Sequence, residues 1–139
     1  MNVNKELLSK KLSFLNEQIS KIENMDFEEQ DLLEDQDIQD LLTFRMQQAV
    51  ETCIDISTHI IASLNLSRQE TAKDAFLLLG KENIIEKGIA GKMGKAADFR
   101  NRVVHGYNNF DYLILFKDYK EDLEDLKIFA SQILSFLEK

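Results

Sequence analysis

Asn101 lies four positions before His105 in the segment Arg100-Asn101-Arg102-Val103-Val104-His105-Gly106-Tyr107, a spacing that puts both side chains on one helix face. Arg100 adjoins that face and has the reach to join it. Such a group suits cleavage of an RNA phosphodiester. Histidine moves a proton to or from the 2′-hydroxyl or the 5′-oxygen, arginine offsets charge on the phosphorane, and asparagine orients the imidazole or the phosphate. No metal is required by that chemistry. The plainer reading of the same spacing is a histidine favoured at a helix C-terminus by the macrodipole, with Arg102 serving the same end.

Other chemistries have less to stand on. There is no Cys-x-x-Cys, no pair of histidines at helical spacing and no glycine-rich phosphate loop, which leaves metal, redox and nucleotide-fold readings weak, and no cofactor is expected. Carboxylates are numerous, but a pair can be drawn on any acidic helical chain. Cys53, the single cysteine, sits among Thr52, Ile54 and Ile56 and reads as a small buried hydrophobe.

Charge is unevenly distributed. The formal net charge is −8, yet Glu23 to Asp40 carries nine acids and no base, while Lys81 to Tyr107 carries six bases against three acids. Evenly spread, −8 would repel a polyanion; concentrated elsewhere, it leaves the basic stretch open to phosphate, with Arg102 and Lys95 as candidate RNA contacts beside Arg100. A charge run taken alone is otherwise a solvated helix face.

The elements that must position these residues are helices. Proline is absent, glycine is scarce outside one region, and apolar residues recur every three or four positions. Leu8, Leu12, Leu15, Ile19 and Ile22 line one face of a helix from about Asn4 to Asn24, followed by an acidic connection. A second helix is expected from about Asp37 to Leu64, with one stripe of Leu42, Met46, Ala49, Cys53, Ile56 and Ile60 and another of Val50, Ile54, Ile61 and Leu64. So wide an apolar face suggests contact on two sides, either a core and a partner chain or burial within one bundle. Arg45, Gln48, Thr52, Asp55 and His59 form a polar series beside it, facing either a cleft or water.

Capping boxes at Ser67 and Glu70, Asn83 and Glu86, and Asp118 and Glu121 predict three further helix starts, with Gly80 and Gly106 as stops. Gly88, Gly91, Gly94 and Ala97 leave one face of the basic helix bare enough for another helix to approach, and Val103 and Val104 are expected to anchor it in the core. The sum is an all-α antiparallel bundle of four or five helices, a single domain over residues 1–139. No apolar run approaches the roughly 18–20 residues that span a bilayer, and the first residues lead into an amphipathic pattern, so a soluble cytoplasmic protein without membrane contact is expected.

Arg100 to Tyr107 matches the Arg-x4-His-x-Tyr motif of HepT toxins, a branch of the HEPN superfamily. Asn101 after the arginine, Phe110-Asp111-Tyr112 before a final amphipathic helix, and Leu32 to Asp40 leading into a long helix with Arg45 resemble the same family over nearly the whole chain. The resemblance implies a metal-independent endoribonuclease of a toxin–antitoxin pair. It implies a homodimer with its RNA cleft between protomers, Arg100, Asn101 and His105 as catalytic residues, and Tyr107 as the site of AMPylation by an MntA-like nucleotidyltransferase antitoxin. A dimer is chemically attractive in its own right, since transesterification needs a proton acceptor and a donor and the motif offers one histidine. Two alternatives use the same residues differently: a non-catalytic helical partner that binds nucleotide for a nucleotidyltransferase, and a purely structural bundle.

Overall fold

The computed structural model describes residues 3–106 and 110–139. Six helices follow one another: α1 (Lys5–Glu23), α2 (Glu29–Glu34), α3 (Gln36–Ser63), α4 (Ala72–Lys81), α5 (Lys87–Val104) and α6 (Tyr112–Leu137). No strand occurs among the described residues, and no helix there is long and apolar enough to cross a membrane. The all-α expectation holds, with one helix more than anticipated.

The additional helix is α2, inside the acidic stretch expected to be a connection. It buries only Leu32, and its N-terminus is closed by carboxylates, with Glu28 and Asp31 forming a reciprocal box. Acids at a helix start meet the positive end of its dipole, so the charge run that reads as a solvated loop is compatible with a helical turn. Asp35 then caps α3 by accepting from the amides of Asp37 and Ile38.

Antiparallel packing can be traced from pairs across neighbouring helices. Lys11 meets Asp55 at 3.7 Å and Arg45 donates to the Lys21 carbonyl at 3.2 Å, so α1 and α3 run in opposite directions. Glu86 donates its amide to Gln132 at 2.8 Å and Lys92 lies 3.6 Å from Asp125, which does the same for α5 and α6. All five predicted residues of the α1 stripe are buried, as is the first stripe of α3. The second stripe is buried or half-buried too, because α3 touches all five other helices. Its width is thus met within one chain. Phe76 and Phe129, both fully buried, meet edge to face at 5.8 Å and join α4 to α6; truncating either to alanine would cost roughly 3–5 kcal/mol.

Two helix ends use asparagine where glycine is the common choice. At Asn65 (φ 56°) and Asn83 (φ 60°) the chain turns left-handed, and the next amide reaches back to Ile61 and Leu79 respectively, closing α3 and α4. Gly80 is therefore not a stop. It lies within α4, where a Cβ would come 2.7 Å from that of Ala90, and it sets the close approach of α4 to α5. On α5, Gly88 and Gly91 meet nothing within 4 Å, whereas Gly94 is buried with Lys73 of α4 at 3.2 Å from its would-be Cβ and Ala97 is buried too, so the bare face is open in its first half and covered in its second.

Candidate functional site

α5 carries the chemistry-bearing segment and α6 lies antiparallel beside it. Glu86, rather than the expected Asn83, caps α5, and Thr71 and Asp111 open α4 and α6 in place of Ser67 and Asp118. α5 ends at Val104, with His105 as the capping residue; its amide donates to the carbonyls of Asn101 and Val103. Gly106 follows at φ +63° and donates to Val103, a left-handed turn that glycine accepts without strain. The helix end thereby fixes where His105 emerges. His105, Asn101 and Arg102 are all exposed, and Asn101 and His105 keep the one-turn relation read from the sequence. Tyr107 lies outside the described residues. Val104 is 51 % exposed, against the expectation that it anchors the core, while Val103 is half-buried.

Arg100 takes a different direction from its neighbours. It stands about 140° around α5 from His105 at roughly 100° per residue, and its side chain turns to α3, where Nη1 donates to Glu51 Oε1 at 3.3 Å. Its side chain is 23 % exposed and that of Glu51 33 %, so the pair is partly withdrawn from water. Arg100 Nε is buried without an acceptor among the described residues, a position that costs about 1–3 kcal/mol. Arg100 is therefore part of the wall behind the exposed Asn101 and His105, held by an acid that local spacing does not pair with it. A retrospective clue was present: Glu51 and Asp55 are the two acids between Leu41 and Leu64.

The polar series on α3 divides. Arg45 and Asp55 are tied to α1, Thr52 is buried and donates to the Gln48 carbonyl, and His59 is exposed. The basic stretch is likewise answered by acids in the fold. Lys92 pairs with Asp125 and Arg100 with Glu51, whereas Asp98, an acid of the stretch itself, is met by Lys73 of α4 at 3.7 Å. Lys95 lines a cavity of about 580 Å³ between α3, α5 and α6 together with Arg102, Asp98, Asp111, Asp118 and Asp122, over apolar Met46, Val50, Phe99, Phe110 and Leu126. Within it the Asp122 carboxyl is pushed up to about 6, first by burial and then by Asp118, Asp125 and Glu121, with Lys95 opposing. Lys95 and Arg102 are both exposed on the cavity lining, and Lys95 also acts electrostatically on Asp122 of α6. Cys53 is fully buried, and burial pushes its thiol far up, the behaviour of a core residue.

A family model described as ribonuclease HepT-like matches residues 15–133. The chain belongs to the HepT-like family. Among its relatives, an mRNA nuclease HepT of Shewanella oneidensis is 26 % identical over 128 residues, covering 92 % of this chain and 96 % of the relative. A tRNA nuclease HepT of Aphanizomenon flos-aquae is 32 % identical over 100 residues, covering 71 % and 68 %. The HepT-like fold also superimposes on a solved structure of tri-AMPylated Shewanella oneidensis HEPN toxin in complex with MNT antitoxin. The TM-score is 0.87 at 25 % identity, with 94 % of this chain and 98 % of that chain covered. Residues 15–133 include every helix that contributes to the Arg100–His105 region and its cavity.

Proposed function

We propose that this HepT-like chain is the endoribonuclease toxin of a toxin–antitoxin pair, cutting RNA without a metal ion at a cleft between two copies of itself. The carrying observation is the end of α5, where His105 and Asn101 are exposed on one face while Arg100 is held behind them by Glu51. In this reading His105 of one protomer removes the proton from the 2′-hydroxyl, whose oxygen attacks the adjacent phosphorus. The bond to the 5′-oxygen breaks, and the leaving oxygen takes a proton from His105 of the partner copy. The products are a 2′,3′-cyclic phosphate and a 5′-hydroxyl. Arg100 offsets charge on the phosphorane, Asn101 orients imidazole or phosphate, and Arg102 holds a flanking phosphate. Lys95, set among the α6 carboxylates, is left with a weaker share in RNA binding than its charge suggests.

Support for the dimer comes from exposed apolar Val104 beside the site and from the need for two proton-transfer groups. Regulation follows from the motif tyrosine: AMP transferred to Tyr107 by a nucleotidyltransferase antitoxin adds bulk and negative charge one residue beyond Gly106, where it competes with an RNA phosphate.

The test is cleavage of total RNA by the purified protein with and without EDTA, comparing wild type with His105→Ala. Metal-independent cutting to cyclic phosphate ends that His105→Ala loses is the expected result. RNA left intact by wild-type protein that still binds nucleotide would turn the reading to the non-catalytic alternative.

A further inference from the structure

The cavity between α3, α5 and α6 adjoins the proposed cleavage site along a continuous line of side chains. Asp98 and Arg102 line it and step by four and three positions to His105, the period that stacks residues along one helix face. Whatever occupies the cavity therefore lies next to whatever His105 acts on. Its volume of about 580 Å³ falls within the range of roughly 300–1,000 Å³ typical of small-molecule sites.

Its lining separates into two kinds of surface. Met46, Val50, Phe99, Phe110 and Leu126 supply apolar and aromatic area, with the Phe99 and Phe110 rings 5.8 Å apart. The charged part holds four carboxylates against Lys95 and Arg102. A phosphate would be repelled from such an interior but accepted by Arg102 on its rim. An uncharged, flat, hydrogen-bond-donating group would be welcome inside. A nucleobase has that character, and single-stranded RNA is read by splaying bases onto aromatic side chains and bonding their edges.

We propose that this cavity is a base-specificity site of the ribonuclease, taking a guanine of the bound strand next to the scissile phosphate. The choice among bases follows from the acceptors. An ionised carboxylate only accepts, and guanine presents two parallel donors, N1–H and the 2-amino group, to its two oxygens. Adenine and cytosine set a ring-nitrogen acceptor beside their amino group, and uracil flanks its single N–H with carbonyls, so each points lone pairs at a carboxylate. Asp118 and Asp122, one turn apart on α6, are the acceptors assigned to this edge. Asp122 ionises near 6, so the accepting state is present at neutral pH.

This inference rests on the ribonuclease reading, and two measurements separate their failures. In the first, native protein cuts oligoribonucleotides that differ only by guanine, inosine or adenine at each position around the cut. Guanine at one fixed offset should favour cutting roughly ten-fold over adenine, with inosine between. Asp118→Asn or Asp122→Asn should flatten the preference, cutting at guanine sites falling to the level of the matched adenine sites in the same variant. In the second, guanosine 5′-monophosphate is titrated into ¹⁵N-labelled protein, with adenosine 5′-monophosphate and spermidine as comparisons. Shifts at Phe99, Phe110 and Asp122 specific to the guanine nucleotide support the site even where no RNA is cut, in which case the ribonuclease reading alone fails. Cleavage indifferent to base, or a cavity that answers to spermidine and not to guanine, overturns the proposal and leaves the ribonuclease standing. Thermal melting of both variants keeps misfolding from counting as lost preference.

Discussion

The guanidinium of Arg100 and the carboxylate of Glu51 meet at 3.3 Å, joining the motif helix to the middle of α3 across 49 positions of sequence. The contact sets the direction of the motif arginine, because a planar fork with an acid at one prong keeps a narrower set of orientations than a free side chain. In the proposed mechanism Glu51 is thereby a positioning residue that acts through Arg100. Glu51→Ala should lower kcat about ten-fold with KM nearly unchanged, since the arginine would still attract phosphate but no longer hold the geometry in which charge develops. Glu51→Gln, which keeps a carbonyl acceptor, should recover part of the loss. Steady-state kinetics on one oligoribonucleotide check the split, and equal loss in both variants with a raised KM would speak against it.

Removing the groups that the proposed mechanism places at the reaction should have a larger effect. His105→Ala should reduce cleavage by roughly 10²–10⁴-fold and Arg100→Ala by about 10²–10³-fold, the ranges for a lost proton-transfer group and a lost charge-stabilising donor. Melting of His105→Ala measured beside its kinetics separates lost chemistry from lost fold. Arg100→Ala also leaves Glu51 half-buried and unpaired, so its fold should be checked by circular dichroism before its kinetics are read.

How much of this was legible beforehand differs by element. The α1 stripe and the run of α3 follow from apolar spacing because each buries a continuous face, and that pattern is local. α2 escaped because it buries only Leu32 and is capped by acids. The boxes at Ser67 and Asp118 misdirected for a related reason: several residues in each region can cap, and packing decides between them. Asp111 accepts from Leu113 and Ile114, which starts α6 early and leaves Asp118 inside the helix. At the site, the Asn101–His105 relation was visible because one helix makes it. Glu51 behind Arg100, and the α6 carboxylates around Lys95, join distant segments and leave no periodic trace.

Glycines on α4 and α5 make opposite predictions about stability. Gly80→Ala places a Cβ 2.7 Å from that of Ala90 and forces α4 away from α5, which should cost about 1–3 kcal/mol despite the gain in helix propensity. At Gly91 nothing lies within 4 Å, so alanine should stabilise by up to about 1 kcal/mol. Urea unfolding of both variants tests the pair. Should Gly91→Ala instead destabilise in a protein-concentration-dependent way, the bare face of α5 would be the contact between two copies.

Control by AMP transfer makes a prediction independent of RNA. Incubated with its cognate nucleotidyltransferase and ATP, the wild-type protein should gain mass in units of AMP and lose ribonuclease activity, while Tyr107→Phe should gain none and stay active. Intact-protein mass spectrometry reads the first and an RNA assay the second. An equal gain on Tyr107→Phe would move the acceptor to another side chain.

The raised carboxyl of Asp122 ties stability to pH in a direction opposite to that of a salt-bridged acid. Folded Asp122 holds its proton up to about 6 against an ordinary value of 3.8, so its contribution to stability is complete below about 4 and is lost as pH rises through 6. Burial is the main cause, with Asp118, Asp125 and Glu121 of α6 adding repulsion and Lys95 of α5 relieving part of it. Asp98, Arg102 and Asp111 line the same cavity. Asp122→Asn carries no charge at any pH and should be more stable than wild type by about 1 kcal/mol at pH 8, a figure reduced for solvent screening of a half-exposed group. The advantage should shrink as pH falls through 6 and be absent near 4. Guanine preference should follow the reverse course, present above 6 and fading below it, because the protonated acid no longer offers two acceptors. Unfolding and cleavage measured over the same pH series would show both changes turning at one midpoint; midpoints more than a unit apart would assign them to different groups.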